Sequence, residues 1–425
     1  MIFLATSMIL KLLLGFPFMI VLLGSTILYL MFYMPDFNTQ MIVQQVMAAI
    51  KPAALVAIPM FILGANILTT GDSAKRLINM VKCFLGHIPG GLAITTSASC
   101  TLFGAVSGST QATVAAIGGT MRPMLRETGY SSSFSLGLII NSSDIAFLIP
   151  PSIGFIVYGV VTRTSIGSLF LAGILPGLLI LLLFSIYSYL YSKKTGAGSI
   201  PKASWSDRKK AFKEGMPVLG FPIIIMGGIY SGIFSPTEAS AVAVAYALFL
   251  ESLVFRTLKW DSLIESFLQT GLITGVTFIL VGAGQTLSFL LSFLRIPQMI
   301  LTNILGSSPS YLQVVLVIIA AYFIACMFVD PIVAILVLSP VFAPYVVATG
   351  VDPILLGVLV TLQAAIGSAT PPFGCDIFTA QIIFKRPYLE VIGHTAPFII
   401  ILLIVTVLLV AFPQISLFIP NHAMF

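Results

Sequence analysis

The sequence predicts an all-α integral membrane protein that is built from two repeats. Hydrophobic residues make up 58% of its 425 residues and charged residues only 8%, whereas a soluble domain carries roughly 25% charged residues. Prolines of the first half recur in the second half at a constant offset of 221 residues: Pro123, Pro150, Pro151 and Pro176 match Pro344, Pro371, Pro372 and Pro397. Chance would supply about 0.2 such matches over the same window. The offset therefore indicates an internal duplication.

Long apolar segments predict the membrane crossings. We place them at residues 15–34, 53–69, 132–160, 166–191, 216–234, 237–256, 270–291, 353–383 and 388–412, in line with the length that a bilayer requires. Counting from residues 53–69, five crossings precede residues 270–291, and an odd number inverts the second repeat relative to the first. A soluble protein is excluded, because too little polar sequence remains to coat a core of this size.

Two further segments carry a small, polar break at their centre. Residues 91–128 contain SGST at 107–110, and residues 311–349 contain VDP at 329–331. We predict that each segment enters the membrane and returns as a re-entrant helical hairpin, because irregular backbone at that depth is tolerated only inside protein or beside a wet cavity.

Two pairs of adjacent prolines predict two broken helices. Pro150-Pro151 and Pro371-Pro372 each delete two backbone donors and clash with the preceding helical turn. Repeats that are interrupted at corresponding places inside a membrane are typical of secondary transporters, whose sites lie at the breaks.

The domain organisation follows from charge and periodicity. Seven of the 20 basic residues lie in the loop 193–214, which the positive-inside rule places in the cytoplasm. Segments 38–50 and 260–269 alternate polar and apolar residues and are predicted to lie flat at an interface. The predicted parts are an N-terminal scaffold span and arm helix (1–52), a first repeat (53–192), the cytoplasmic loop with scaffold spans and a second arm helix (193–269), and a second repeat (270–425).

The breaks offer oxygen ligands. Hydroxyls such as Ser107 and Thr110, with freed backbone carbonyls, suit a hard ion such as sodium rather than a transition metal. Asp330 lies in an apolar run, where a carboxylate costs roughly 2.5–3.5 kcal/mol on insertion scales and needs a partner. Two alternatives remain open, because Gly104 and Gly108 form a GxxxG pair that can serve helix packing alone and Asp330 can cap a helix.

The chain resembles the large membrane subunit, or M subunit, of tripartite ATP-independent periplasmic (TRAP) transporters. The resemblance covers nearly the whole chain and rests on GAVSGSTQATVAAIGGTMRPML at 104–125, the stretch Asn141–Pro151, FSPTEASAVAV at 234–244, FVDP at 328–331 and GSATPPFG at 367–374. It implies an elevator-type transporter, with a mobile domain that carries both hairpins and a static scaffold. It also implies sodium-coupled uptake of an organic acid, and we favour sialic acid, with a C4-dicarboxylate next.

The resemblance also implies a set of site residues and no organic cofactor. Two or more sodium ions are expected, and the substrate is expected between the hairpin tips. The residues are Ser107, Gly108 and Asn141 for a first sodium site, Asp330, Gly367 and Thr370 for a second, and Ser109, Thr110, Ser142 and Gln363 for the substrate lining.

The resemblance further implies two protein partners. They are a small four-span membrane subunit (Q) and a soluble periplasmic protein (P) that delivers the substrate, in a multi-pass assembly of the bacterial inner membrane. Lipids surround the chain, and no nucleic acid is expected. Two other functions stay open, namely a passive channel and, less favoured, an intramembrane aspartyl protease that uses Asp144 and Asp330. We predict no enzymatic activity.

Overall fold

The structure, a computed structural model, describes residues 2–296, 299 and 309–423. All regular secondary structure in these ranges is helical. The helices that are long and apolar enough to cross a membrane are Ala53–Thr70, Ile166–Thr195, Trp205–Tyr230, Pro236–Val254, Trp260–Phe293 and Pro331–Thr349. A bent pair, Ala396–Ala411 and Gln414–His422, meets at 59° and can form one more span. The predicted all-α, multi-span class is therefore confirmed.

Ten helices and three short irregular turns precede the central loop among the described residues. The helices are α1 (Ile2–Leu13), α2 (Ser25–Tyr33), α3 (Gln40–Ile50), α4 (Ala57–Thr70), α5 (Ser73–Leu85), α6 (Gly91–Ser107), α7 (Thr110–Glu127), α8 (Ser132–Ser143), α9 (Ile153–Thr162) and α10 (Ile166–Thr195). A π turn at Ile20–Gly24 leads into α2, and 3-10 turns at Ala53–Val56 and Asp144–Phe147 precede α4 and follow α8.

The helices after the central loop repeat part of this order. They are α11 (Trp205–Tyr230), α12 (Pro236–Phe249), α13 (Trp260–Phe293), α14 (Tyr311–Cys326), α15 (Pro331–Thr349), α16 (Pro353–Ser368), α17 (Cys375–Phe384), α18 (Tyr388–Ile392), α19 (Ala396–Ala411) and α20 (Gln414–His422). A π turn at Leu250–Val254 extends α12.

Each polar break separates two helices that pack on one another. Gly108 and Ser109 separate α6 from α7, and residues 327–330 separate α14 from α15. Ser109 and Asp330, which the repeat offset pairs, each accept a hydrogen bond from the first turn of the following helix, at 3.4 and 2.9 Å. The duplication therefore extends to the N-caps of α7 and α15, where a side-chain oxygen satisfies an orphan backbone N–H.

The proline pairs follow the ends of two central helices. Helix α8 ends at Ser143, and α16 ends at Ser368. The peptide bonds Pro150-Pro151 and Pro371-Pro372 are both cis. The predicted crossings at 132–160 and 353–383 thus each consist of two helices with an irregular segment between them.

The predicted crossing at residues 15–34 is instead one arm of a short helical hairpin. Helices α1 and α2 run antiparallel, because the chain turns at Gly15 (φ +75°) and brings the ring of Phe3 within 5.7 Å of the ring of Phe32. Lys11 Nζ donates hydrogen bonds to two serine hydroxyls of this hairpin, at 2.6 and 3.0 Å. A glycine in the left-handed region favours a turn over a continuous span.

The second predicted arm helix is not a separate element. Helix α13 runs without interruption for 34 residues, about 51 Å at 1.5 Å per residue, so the predicted boundary between residues 269 and 270 falls inside it. In the first repeat, Pro52 separates α3 from the turn that begins α4. The position that matches Pro52 is Ile273, which keeps its backbone donor and lets the helix continue.

The central hydrophilic segment is also mostly helical. Coil covers only residues 196–204, because α11 begins at Trp205. The side chain of Ser204 caps α11 by accepting a hydrogen bond from the N–H of Asp207 at 3.1 Å. Most of the basic residues of the predicted loop therefore lie on the first turns of a long helix.

Helices α6, α8 and α16 form the centre of the molecule. Residues 134–143 of α8 and 355–368 of α16 are buried throughout, as expected of helices that are apolar on every face. Of the longer helices, α10 and α11 pack against α6, whereas α12 packs against α4 and α13 against α3, α4 and α15. Each of these longer helices keeps one face exposed. Because α6, α8 and α16 each end at a break, the polar residues at those breaks are placed deep inside the protein.

A buried carboxylate joins the outer helices. Glu251, in the π turn after α12, is fully buried and accepts hydrogen bonds from the N–H groups of Asp72 and Ser73 at 3.4 and 3.2 Å. It also accepts from the hydroxyls of Ser73 and Thr257. The carboxylate thus caps α5 from a different helix.

We expect Glu251→Ala to destabilise the protein by at least about 2 kcal/mol, because it leaves buried donors without an acceptor. The measurement is the melting temperature of the purified protein in detergent. Glu265→Ala, which removes an exposed glutamate from α13, is the control and should melt like the wild type. Equal melting of both variants and the wild type would contradict this role of Glu251.

Candidate functional site

The tip of the first hairpin lies against the first proline break. Gly108 has φ +60°, and its carbonyl accepts a hydrogen bond from the N–H of Ile153 at 3.3 Å. A Cβ at Gly108 would overlap the carbonyl oxygen of Pro151. A glycine is required here for its backbone angle and for this close approach.

Two of the three residues assigned to the first sodium site, Ser107 and Gly108, lie at this tip, and the third, Asn141, lies on α8. Ser107 is buried, and its Oγ lies 3.0 Å from the Oγ1 of Thr113. Asn141 is fully buried on α8, which packs against α6. Its Nδ2 donates to the carbonyl of Gly137 at 2.8 Å, whereas its Oδ1 has no hydrogen-bond partner. An unpaired buried acceptor is suited to an ion or a water molecule.

The second tip presents a carboxylate. Asp330 is half-buried and accepts a hydrogen bond from the N–H of Ile332 at 2.9 Å. The side chain of Gln111, at the start of α7, lies close to the carboxylate of Asp330. The capping alternative is therefore real, and the same contact with Gln111 connects the two hairpin tips.

The other residues assigned to the second sodium site lie on the second broken helix. A Cβ at Gly367 would overlap Cys326, four residues before Asp330. The Oγ1 of Thr370 donates to the carbonyl of Ile366 at 2.6 Å. The first repeat has the corresponding close contact between its hairpin and its broken helix, where a Cβ at Gly104 would overlap Ala146.

Asp376 is a central residue that was not assigned to the site. It is fully buried at the start of α17, where Oδ1 accepts a hydrogen bond from Thr110 Oγ1 at 2.8 Å and Oδ2 accepts from Ser368 Oγ at 2.6 Å. It therefore ties the first hairpin tip to the second broken helix. The available signal was its position in the first turn after the Pro371-Pro372 break.

The residues assigned to the substrate lining divide into two groups. Ser109 and Thr110 lie at the first tip, as assigned. Ser142 and Gln363 are fully buried, and they bond to Ser97 Oγ at 2.8 Å and to Thr406 Oγ1 at 2.7 Å respectively. In this conformation the second group joins neighbouring helices instead of facing an open space.

The ligand atoms available at the breaks fit an alkali cation better than a transition metal. Buried oxygen atoms without a hydrogen-bond partner include Oδ1 of Asn141, both carboxylate oxygens of Asp144 and Oε1 of Gln363. Within the described ranges, no group of three or more His, Cys, Asp or Glu residues could hold a metal ion. Hard oxygen ligands without imidazole or thiolate suit sodium.

A cavity of about 750 Å³ lies at the far end of the second hairpin from its tip. Residues from α9, α14, α15 and the start of α16 line it, among them Arg163, Tyr322, Ser339 and Asp352. The expected substrate position between the hairpin tips remains a prediction.

The comparisons with known proteins agree with the resemblance. The sequence profile of the family described as "Tripartite ATP-independent periplasmic transporter, DctM component" matches residues 5–415. The chain belongs to this family. As a DctM component it is a multi-pass membrane permease and not an enzyme, which removes the aspartyl protease alternative. The large permease of a tripartite transporter works with partner components.

Several relatives of this DctM component resemble it over most of their length. The ectoine TRAP transporter large permease protein TeaC of Halomonas elongata is 58% identical over 98% of both chains. The ectoine/5-hydroxyectoine TRAP transporter large permease protein UehC of Ruegeria pomeroyi is 57% identical, also over 98% of both. The sialic acid TRAP transporter large permease protein SiaM of Vibrio cholerae is 34% identical over 89% of this chain and 88% of its own.

The fold of the DctM component also resembles a solved structure. The YdaH transporter of Alcanivorax borkumensis superposes with a TM-score of 0.65 over 96% of this chain and 99% of that chain. Its sequence is only 13% identical, so the likeness concerns the fold alone.

Proposed function

We propose that this permease takes up ectoine or 5-hydroxyectoine by sodium-coupled symport. The observation that carries the proposal is the 58% and 57% identity to two permeases named for these solutes. The sialic acid permease is 34% identical. This difference replaces our sequence-based preference for sialic acid, and for a dicarboxylate after it, with a preference for ectoine.

The chemistry of ectoine is compatible with such a site. Ectoine joins a carboxylate to a cyclic amidine and carries no net charge at neutral pH. Two sodium ions that move with it down a potential of 100 mV contribute about 4.6 kcal/mol, from roughly 2.3 kcal/mol per charge. A solute without net charge returns none of that energy, so accumulation of more than a thousandfold is within reach.

We assign the sodium ions to the two breaks. Ser107, Gly108 and Asn141 hold the first ion, and Asp330, Gly367 and Thr370 hold the second, with the solute between the tips near Ser109 and Thr110. The buried Oδ1 of Asn141, which has no hydrogen-bond partner among the described residues, supports the first assignment. The half-buried carboxylate of Asp330, which lies at a helix break, supports the second.

The contacts at the tips support a shared movement of the two hairpins. Thr110 of the first hairpin donates a hydrogen bond to Asp376 of the second broken helix, and Gln111 of the first hairpin lies close to Asp330 of the second. In an elevator mechanism these parts move as one body against the outer helices. The assembly is a bacterial inner-membrane complex with a four-span Q subunit and a periplasmic P protein that delivers the solute.

The test is uptake of labelled ectoine into proteoliposomes that contain the permease with its Q subunit, supplied with the P protein. We expect accumulation under an inward sodium gradient and background uptake in sodium-free potassium buffer. Excess unlabelled 5-hydroxyectoine should compete, whereas sialic acid and succinate should not.

Two outcomes would contradict the proposal. Equal uptake in sodium and in potassium would remove the coupling. Rapid flux that needs neither the P protein nor a gradient would indicate a passive channel instead.

A further inference from the structure

Asp144 is a buried carboxylate to which the site assignments give no role. It is the first residue of the 3-10 turn after α8, and its side chain is fully buried. Neither of its two carboxylate oxygens has a hydrogen-bond partner. An ionised carboxylate cannot remain buried in this state, because the loss of hydration costs several kcal/mol unless a counter-charge replaces it.

Among the described residues, no cationic side chain is shown to act on Asp144. The neighbouring charged group that acts on it is Asp376, a second carboxylate. Cys100 of α6 is also close, since its Sγ lies 3.8 Å from the Oγ of the neighbouring Ser143. The two ion pairs formed among the described residues, Lys75–Asp72 and Arg386–Glu390, lie elsewhere.

A second unpaired oxygen lies on the same face. Asn141 precedes Asp144 by three residues, so the two side chains share one face of α8 and its turn. The Oδ1 of Asn141 is also buried, with no hydrogen-bond partner among the described residues. The unpaired atoms of both residues are oxygens that can accept a hydrogen bond or bind a cation.

We infer that Asp144 supplies the negative charge of a buried monovalent-cation site, in which Asn141 Oδ1 is a neighbouring ligand. The inference rests on the proposed sodium coupling and adds a charged ligand to the first site. A cation in this position neutralises Asp144 and relieves its repulsion with Asp376.

Asp376 connects that neutralisation to the hairpin. Because Asp376 holds Thr110 at the first tip, a cation at Asp144 lies next to the carboxylate that positions the hairpin. Occupancy of the site by a cation therefore stabilises the closed arrangement of the tip. Cation binding at the first broken helix is thereby coupled to the position of the first hairpin.

The test is the sodium dependence of the melting temperature of the complete permease in detergent, with potassium chloride holding the ionic strength constant. We expect sodium to raise the melting temperature of the wild type. In Asp144→Asn, which keeps the size and one oxygen but removes the charge, the sodium concentration for half-maximal stabilisation should rise at least about tenfold. Asp36→Asn makes the same chemical change at an exposed turn and should respond like the wild type.

The outcomes separate this inference from the proposed function. If sodium stabilises the wild type and Asp144→Asn equally, Asp144 holds no cation and the inference fails while sodium coupling stands. That result is expected if Asp144 carries a proton, because asparagine then replaces it without a change of charge. If the wild type shows neither a sodium-dependent melting temperature nor sodium-dependent uptake, the proposed coupling fails and this inference fails with it.

Discussion

Asp330→Asn should fold and insert normally and yet lose sodium-driven uptake by at least about 100-fold, the upper range for disruption of a metal site. Asparagine caps a helix as well as aspartate does, so the hydrogen bond to Ile332 at the start of α15 can persist. Only the charge is removed. Asp330→Ala removes the cap as well and should also abolish coupled uptake. Uptake in proteoliposomes and melting temperature are measured on the same preparations.

Asp352→Asn is the matched control. Asp352 caps α16 by accepting hydrogen bonds from the N–H groups of Ile354 and Leu355 at 2.8 and 3.1 Å, but it lies at the end of α16 remote from the hairpin tips. We expect its uptake to stay within about twofold of the wild type, since the cap survives the change. If both variants retained uptake, Asp330 would be a helix cap and nothing more.

Gly108→Ala should abolish uptake with a smaller effect on folding. The left-handed conformation of Gly108 (φ +60°) costs an alanine about 1–2 kcal/mol, and the added Cβ would also overlap the Pro151 carbonyl. The tip must then move away from the proline break and give up the hydrogen bond from Ile153. Uptake of labelled ectoine, with the amount of inserted protein as reference, measures the loss.

Gly119→Ala tests the same chemical change on the same hairpin. Gly119 lies in α7, and its added Cβ would meet open space. Alanine is the better helix former by about 1 kcal/mol, so this variant should keep its uptake and melt no lower than the wild type. Loss of uptake in both variants would show that the hairpin tolerates no change, and the special role of Gly108 would be unsupported.

The predictable parts of the fold are those that depend on local chemistry. Proline removes a backbone donor wherever it occurs, so the interruptions after α8 and α16 are predicted by Pro150-Pro151 and Pro371-Pro372. The N-terminal hairpin was missed because its apolar length resembles a span, although Gly15 and Lys11 signalled a turn. The continuous α13 was missed because an amphipathic start does not reveal whether a helix stops before its apolar part.

The candidate site was predictable in part for the same reason. Ser107 and Gly108 stand at a break that the sequence displays, and Ser109 matches Asp330 through the repeat offset. Ser142 and Gln363 were assigned to the lining from their polarity, but polarity does not tell whether a side chain faces a cavity or a neighbouring helix. Their contacts with Ser97 and Thr406 are tertiary.

The sequence by itself determined that this chain is a duplicated, all-helical membrane permease with interrupted helices. Hydropathy, the backbone N–H groups that proline lacks and the order of the motifs can all be read from neighbouring residues. Only the tertiary structure decided which polar groups meet inside. Thr110 and Asp376 are 266 residues apart in the chain and form one hydrogen bond, and the carboxylate of Asp144 has no hydrogen-bond partner within the part of the chain that the structure describes. Such contacts depend on how the helices pack around a common core, and the role of a buried charge depends on the groups that surround it.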